Sequence, residues 1–231
     1  MPKRKIKSWS YAVRRKFAGM IFRLDERLLF PDPALAEDDG LLAIGGDLST
    51  GRLWLAYQNS IFPWYSNDEP ILWYSPHERF VLFPDELKIA KSMRQVLRSG
   101  KFTVTMDQCF NEVIEACSTA ARNGQDGTWI TGDMKAAYNL LHAKGHAHSV
   151  EVWEQDKLAG GFYGVQVNQV FCGESMFSRV SNASKTALIW LCQSGLYKLI
   201  DCQVYTEHLE TMGARMISRE EYMGLLGDNE E

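Results

Sequence analysis

The run HSVEVWEQDKLAGGFYGVQVNQVFCGESMFS, residues 148–178, restricts the fold more than any other part of the chain. Apolar and polar positions alternate along it, valine and aromatic residues are frequent, and turn formers interrupt it at Gln155-Asp156 and Asn168-Gln169. Three strands joined by two-residue turns satisfy their backbone groups by pairing with each other, so the run predicts an antiparallel meander. A meander has faces to cover. The segment DELKIAKSMRQVLRSG (85–100) spaces Ile89, Met93, Val96 and Leu97 along one helical face and Lys91, Arg94 and Arg98 along the other, with Gly100 ending it. After a strand KFTVTM, a second helix is predicted from Asp107 as its N-cap, with Phe110, Val113, Ile114, Cys117 and Ala121 facing inward. A third runs from Thr131 to Gly145, and NASKTALIWLCQ is a fourth.

Before Pro84 the character differs. Residues up to about 80 are dense in aromatics, glycine and proline, with an apolar strand, a Gly45-Gly46 turn, and a helix capped by Asp47 or Ser49 that carries Leu53, Ala56 and Tyr57. This predicts an α+β chain in two parts: a small N-terminal domain, residues 1–78, and a larger domain, residues 79–231, with a mixed or antiparallel sheet. Length supports that division, since 231 residues suffice for one large or two unequal domains.

Hydrophobic residues at 45% and charged residues at 23% describe a globular chain. The formal charge of -4 argues against indiscriminate coating of nucleic acid, but it is unevenly spread. No acid precedes Asp25, whereas eight basic residues do, which gives the chain a basic N-terminal arm. Five scattered cysteines without a C-x-x-C pair fit a reducing compartment, and no apolar run reaches transmembrane length. A cytoplasmic protein without membrane attachment is expected.

His142, His146 and His148 cluster in sequence, but no Cys or regularly spaced carboxylate completes a ligand set, so no metal is expected. GGFYG lies between strands instead of opening a helix, which favours bulges or close backbone approach over a phosphate cradle. Neither Ser nor Cys sits in a nucleophile elbow. Other residues are harder to absorb into packing. Trp64 and Trp129 lie in loops among turn formers, where an indole either packs beneath its own loop or stacks on an unpaired base. Glu174, on a strand with Cys172 and Met176 on the same face, needs a partner, either Arg179 or a ligand. In LIDCQV (199–204), Asp201 and Gln203 share one face about 6.6 Å apart while Ile200, Cys202 and Val204 share the other. Two polar groups inside an apolar strand require hydrogen bonds to each other or to a substrate.

GLLAIGGDLS, IFPWY, ILWYSP, GTWIT, GHAHSVEVW, FCGESMFS, NASKTAL and LIDCQV occur in this order, and together they closely resemble the leucyl/phenylalanyl-tRNA-protein transferases over roughly residues 30–220. Tyr74 and His77-Glu78 stand where relatives commonly carry a second Trp and Asp-Pro. The resemblance implies an aminoacyltransferase that moves Leu or Phe from an aminoacyl-tRNA (Leu-tRNA or Phe-tRNA) to the N-terminal Arg or Lys of a protein. That modification marks the protein for degradation, the N-end rule. It also implies a C-terminal domain with the acyl-CoA N-acyltransferase fold and no metal or cofactor; a monomer is expected. Carried onto this sequence, the resemblance places the terminal adenine between Trp64 and Trp129, and the amino-acid side chain among Phe162, Phe171, Met176, Leu188 and Ile200. Glu174 would help bind substrate, Asp201 and Gln203 would be the catalytic pair with Asp201 holding the carboxamide, and acceptor-stem phosphates would lie along Lys91, Arg94 and Arg98. Two other readings stand beside it: an acyl-CoA-dependent N-acyltransferase, and a non-catalytic RNA-binding protein.

Overall fold

The computed structural model describes residues 21–66, 69–120 and 129–227. Most of the expected basic arm, residues 1–20, lies outside them, as does Ala121. In chain order the first part contains β1 (Phe22–Leu24), β2 (Leu41–Gly45), α1 (Thr50–Gln58), β3 (Phe62–Pro63) and β4 (Leu72–Tyr74). The second contains β5 (Glu78–Leu82), α2 (Lys91–Arg98), β6 (Thr103–Met106), α3 (Phe110–Thr119), α4 (Gly132–Ala143), β7 (Ala147–Glu154), β8 (Lys157–Val167), β9 (Val170–Ser178), α5 (Ala183–Gln193), β10 (Leu199–Gln203), α6 (Glu207–Thr211), β11 (Arg215–Ser218) and α7 (Arg219–Gly227). The architecture is mixed α+β.

A small sheet has strand order β1-β2-β4-β3, and a large one has the order β11-β5-β10-β9-β8-β7-β6. The meander forms as the sequence predicts. Gln155 and Asn168 take positive φ (55° and 51°) at the two turns, the conformation a tight hairpin with right-handed twist demands. Within the large sheet β9 and β10 run parallel, while the other paired strands are antiparallel. Alternation divides the core in two. Phe80, Leu82, Phe162, Phe171 and Ile200 pack with α5 on one face. Val81, Tyr163, Val165 and Cys172 turn to the other, where they join α3, α4 and the first part's Leu53, Tyr57 and Trp73.

Two helix starts differ from expectation. The segment from Pro84 opens with a 3-10 turn, Pro84–Glu86, and α2 begins only at Lys91, which leaves Ile89 outside it. The Lys88 N–H donates to Met212 O (2.8 Å), a tertiary bond that draws this stretch away from helical geometry. Asp107 does not cap α3, whose N-cap is Cys109. Its carboxylate accepts instead from Ser149 N (2.9 Å) and bonds His148 Nδ1 (2.7 Å), pinning the loop to β7. Thr131 does cap α4, accepting from Met134 N (3.2 Å), and Ser49, not Asp47, caps α1.

Candidate active site

The ladder between β9 and β10 ends at Cys172–Asp201. Beyond that point the strands part, and a cleft of about 700 Å³ opens between Gly173–Met176 on one side and Cys202–Val204 on the other. Its floor is set by two irregularities. On β9, Tyr163 pairs with Ser175 and Gly164 with Gly173, so Glu174 is an extra residue without a partner on β8. On β10, Asp201 pairs with Val81 of β5 and Gln203 with Phe80, so Cys202 is extra and the strict alternation expected for Asp201 and Gln203 is lost.

Gln203 sits at φ 58°. A left-handed backbone at a residue with a Cβ costs about 1–2 kcal/mol, and a specific bond offsets it: Asp201 Oδ1 accepts the Gln203 main-chain N–H at 2.8 Å. Asp201 is fully buried, and its other oxygen takes hydrogen bonds from Arg79 and from Tyr222 Oη (2.8 Å). The Arg79 guanidinium lies between the Phe62 and Tyr222 rings, 4.8 and 4.6 Å from their centroids. Burial disfavours its charge, but the Asp201 carboxylate outweighs burial and raises the arginine above its ordinary pKa.

Asp201 does not hold the Gln203 carboxamide, as the resemblance implied. Glu174 does, since Gln203 Nε2 donates to Glu174 Oε1 at 2.7 Å. The Arg179 alternative for Glu174 is also replaced: that guanidinium donates to Leu158 O (3.3 Å) and lies over the Phe177 ring. Glu174 Oε2 accepts from Tyr138 Oη (3.2 Å), and Tyr138 Oη in turn bonds Tyr57 Oη (2.5 Å). Burial pushes the Glu174 carboxyl up to about 7, against hydrogen bonds from Tyr57, Gln203 and Tyr138 that favour the charged form. A glutamine amide has one donating and one accepting end, so anchoring Nε2 on Glu174 leaves Oε1 as the end available to a substrate.

Trp64 and Trp129 are both half-buried and both line the cleft. Their loops are tied together: Tyr65 Oη lies 3.5 Å from Thr131 Oγ1, and Thr131 N donates to Trp129 O (3.1 Å). Phe162, Met176, Leu188 and Ile200 supply apolar wall. Phe171 does not line the cleft. It is fully buried behind Phe162, edge-to-face at 5.5 Å, and supports that ring from the rear. Lys91, Arg94 and Arg98 are exposed on α2 and lie outside the cleft. Among the described residues no group of three His, Cys, Asp or Glu side chains is arranged to hold a metal.

Comparison with known proteins decides the family. The leucyl/phenylalanyl-tRNA protein transferase model matches residues 81–227, and the N-terminal domain model of the same family matches residues 46–77. Proteins named leucyl/phenylalanyl-tRNA-protein transferase are 57% identical in Syntrophus aciditrophicus (88% of this chain, 86% of that protein) and 54% identical in Syntrophobacter fumaroxidans (90% and 91%). A third, from Flavobacterium johnsoniae, is 53% identical over 89% of this chain and 99% of its own length. The chain belongs to the leucyl/phenylalanyl-tRNA protein transferase family. It is an aminoacyltransferase. Among solved structures, a conserved protein of unknown function from Bacteroides thetaiotaomicron superposes with a TM-score of 0.41 at 12% identity, over 67% of this chain and 56% of that one, too distant to assign the fold.

Several residues of this cleft and its supports escape a reading of the sequence. Arg79 and Tyr222 carry Asp201, Tyr57 and Tyr138 carry Glu174, and Lys185 and His208 line the cleft. Arg79 had a signal, because an arginine in HERFVLF is as anomalous in an apolar strand as Asp201 in LIDCQV. The tyrosines had none, since Tyr57 fits an ordinary inward helix face.

Proposed function

We propose that the cleft joins leucine or phenylalanine from Leu-tRNA or Phe-tRNA to the α-amino group of an N-terminal Arg or Lys on a protein. The observation that carries this reading is the Gln203 carboxamide, fixed at the floor of an apolar cleft by Glu174 while two half-buried indoles stand on its wall. In this reading the terminal adenine stacks between Trp64 and Trp129, and the aminoacyl side chain lies against Phe162, Met176, Leu188 and Ile200. Phe171 acts only as backing.

The amine nitrogen attacks the ester carbonyl carbon, the bond from that carbon to the ribose oxygen breaks, and the amine's proton ends on solvent or the leaving hydroxyl. An α-amine with a pKa near 8 has an appreciable neutral fraction, and the ester is already activated, so positioning carries the catalysis. Gln203 Oε1 accepts a hydrogen bond from the amine and aims its lone pair. Asp201 acts through Gln203's backbone and Glu174 through its side chain, so both are positioning residues. Gln203→Ala is expected to lower turnover far more than aminoacyl-tRNA binding. Trp64→Ala and Trp129→Ala should each cost about 1–3 kcal/mol of donor binding, measured by titration with leucyl-tRNA.

The larger part of the chain, residues 79–231, is proposed as a relative of the acyl-CoA N-acyltransferase fold, supported by the parallel β9–β10 pair and the gap that opens where its ladder ends. Residues 1–78 form the smaller domain, and the stripe Lys91, Arg94, Arg98 takes acceptor-stem phosphates. The chain acts in the cytoplasm as a monomer without cofactor; among the described residues no helix is long and apolar enough to cross a membrane. Single-turnover transfer of labelled leucine from leucyl-tRNA to a peptide beginning with Arg tests the whole. Transfer from an acyl-CoA instead, or RNA binding without transfer, would establish one of the other two readings.

A further inference from the structure

One edge of this largely apolar cleft is basic. Lys185, in the first turn of α5, is half-buried where it lines the cleft, and His208 of α6 lines it too. Among the described residues Lys185 forms no ion pair, although Ser184 and Leu188 beside it are packed into the same wall. The two side chains are near enough to affect each other: partial desolvation lowers the His208 pKa and the Lys185 charge lowers it further, so the imidazole is neutral at physiological pH and Lys185 carries the charge. Lys185 thus offers the cleft an ammonium that is not ion-paired to any carboxylate among the described residues.

The position of α5 indicates which ligand. Residues 184, 185 and 188 face the cleft, whereas Thr186, Trp190 and Gln193 face a separate groove shared with Val96 and Leu97 of α2. Helix α5 therefore has the cleft, which Lys185 lines, on one side and the groove shared with α2 on another. We propose that Lys185, with the His208 imidazole as a neutral hydrogen-bonding neighbour, binds the phosphodiester immediately before the donor's terminal adenosine, on the side of the cleft formed by the first turn of α5. A cationic acceptor side chain would be repelled from this edge, which leaves the edge to the nucleic acid. The inference rests on the transferase reading above.

A donor without the phosphate isolates the effect. Leucyl-tRNA carries the phosphodiester and 3′-O-leucyl-adenosine does not, so transfer from both to an Arg-starting peptide is measured for the wild type, Lys185→Gln and Lys185→Arg. Lys185→Gln keeps most of the stem and its packing. It is expected to raise KM for leucyl-tRNA about tenfold and to flatten the salt dependence of log KM by about 0.7 of a unit of slope, one phosphate contact on a single strand. KM for leucyl-adenosine should stay within about twofold, and Lys185→Arg should restore most of the loss. Equal effects on both donors, or no effect on leucyl-tRNA, would overturn the assignment. If the wild type transferred from neither donor, the transferase reading would fail first.

Discussion

At the scale of single residues, the cleft depends on charges that water cannot reach. Arg79 and Asp201 are both buried, so removing one leaves the other uncompensated. Arg79→Met is expected to destabilise the protein by about 3–5 kcal/mol. Combining it with Asp201→Asn should recover much of that, and urea denaturation of the single and double variants measures the coupling. Glu174 behaves in the opposite way, because burial raises its pKa from 4.5 to about 7. The folded protein holds this proton more tightly than the unfolded chain, so the group's contribution to stability is full below pH 4.5 and is lost as pH rises through about 7. Relative to Glu174→Gln, which cannot titrate, the wild type should therefore lose stability between pH 5 and pH 8. Thermal unfolding at the two pH values, with equal shifts in both proteins, would contradict the assignment.

At the scale of elements, the bulges place the reactive groups, and close packing holds the bulges. A Cβ on Gly164 would lie 2.3 Å from Cys172 O and 2.4 Å from the Phe171 ring, at the register shift opposite Glu174. Gly164→Ala should cost on the order of 1–3 kcal/mol and lower turnover together with stability, because relieving the overlap moves β9. Comparing circular-dichroism melts with transfer rates checks both effects. The same elements show what the sequence could convey. The hairpin turns at Gln155 and Asn168 were legible because turn chemistry is local. The bulge at Gln203 was not, because Asp201's partners come from β5 and α7, more than a hundred residues before it and about twenty after. The resemblance set Phe171 in the pocket but could not convey that it lies buried behind Phe162, and helical spacing could not foresee that Met212 would take the Lys88 N–H. Asp107 looked like a cap until β7 claimed its carboxylate.

At the scale of the whole molecule, the large sheet keeps one cluster of its own against α5, while the small sheet shares its core with the large sheet's other face. Leu53, Tyr57 and Trp73 pack in the same cluster as Val113, Tyr138 and Tyr163, and the Tyr57–Tyr138 bond carries that junction to within one carboxylate of Gln203. Residues 78–231 alone should therefore be unstable and inactive, with a large apolar face uncovered. Sedimentation and transfer assays on that fragment provide the check, and a soluble, active product would refute it.

Gly40, just before β2, lies against Pro76, between β4 and β5, and this contact matters for division of the chain. A Cβ on Gly40 would come within 2.9 Å of Pro76 Cα, so the connection just before β5 is tightly seated although it is covalently a simple crossing between sheets. Severed there and produced as two polypeptides, the halves would have to find each other through the shared interior before either could work. That makes this chain a natural candidate for a split reporter in which recovered peptide-bond formation counts reunions.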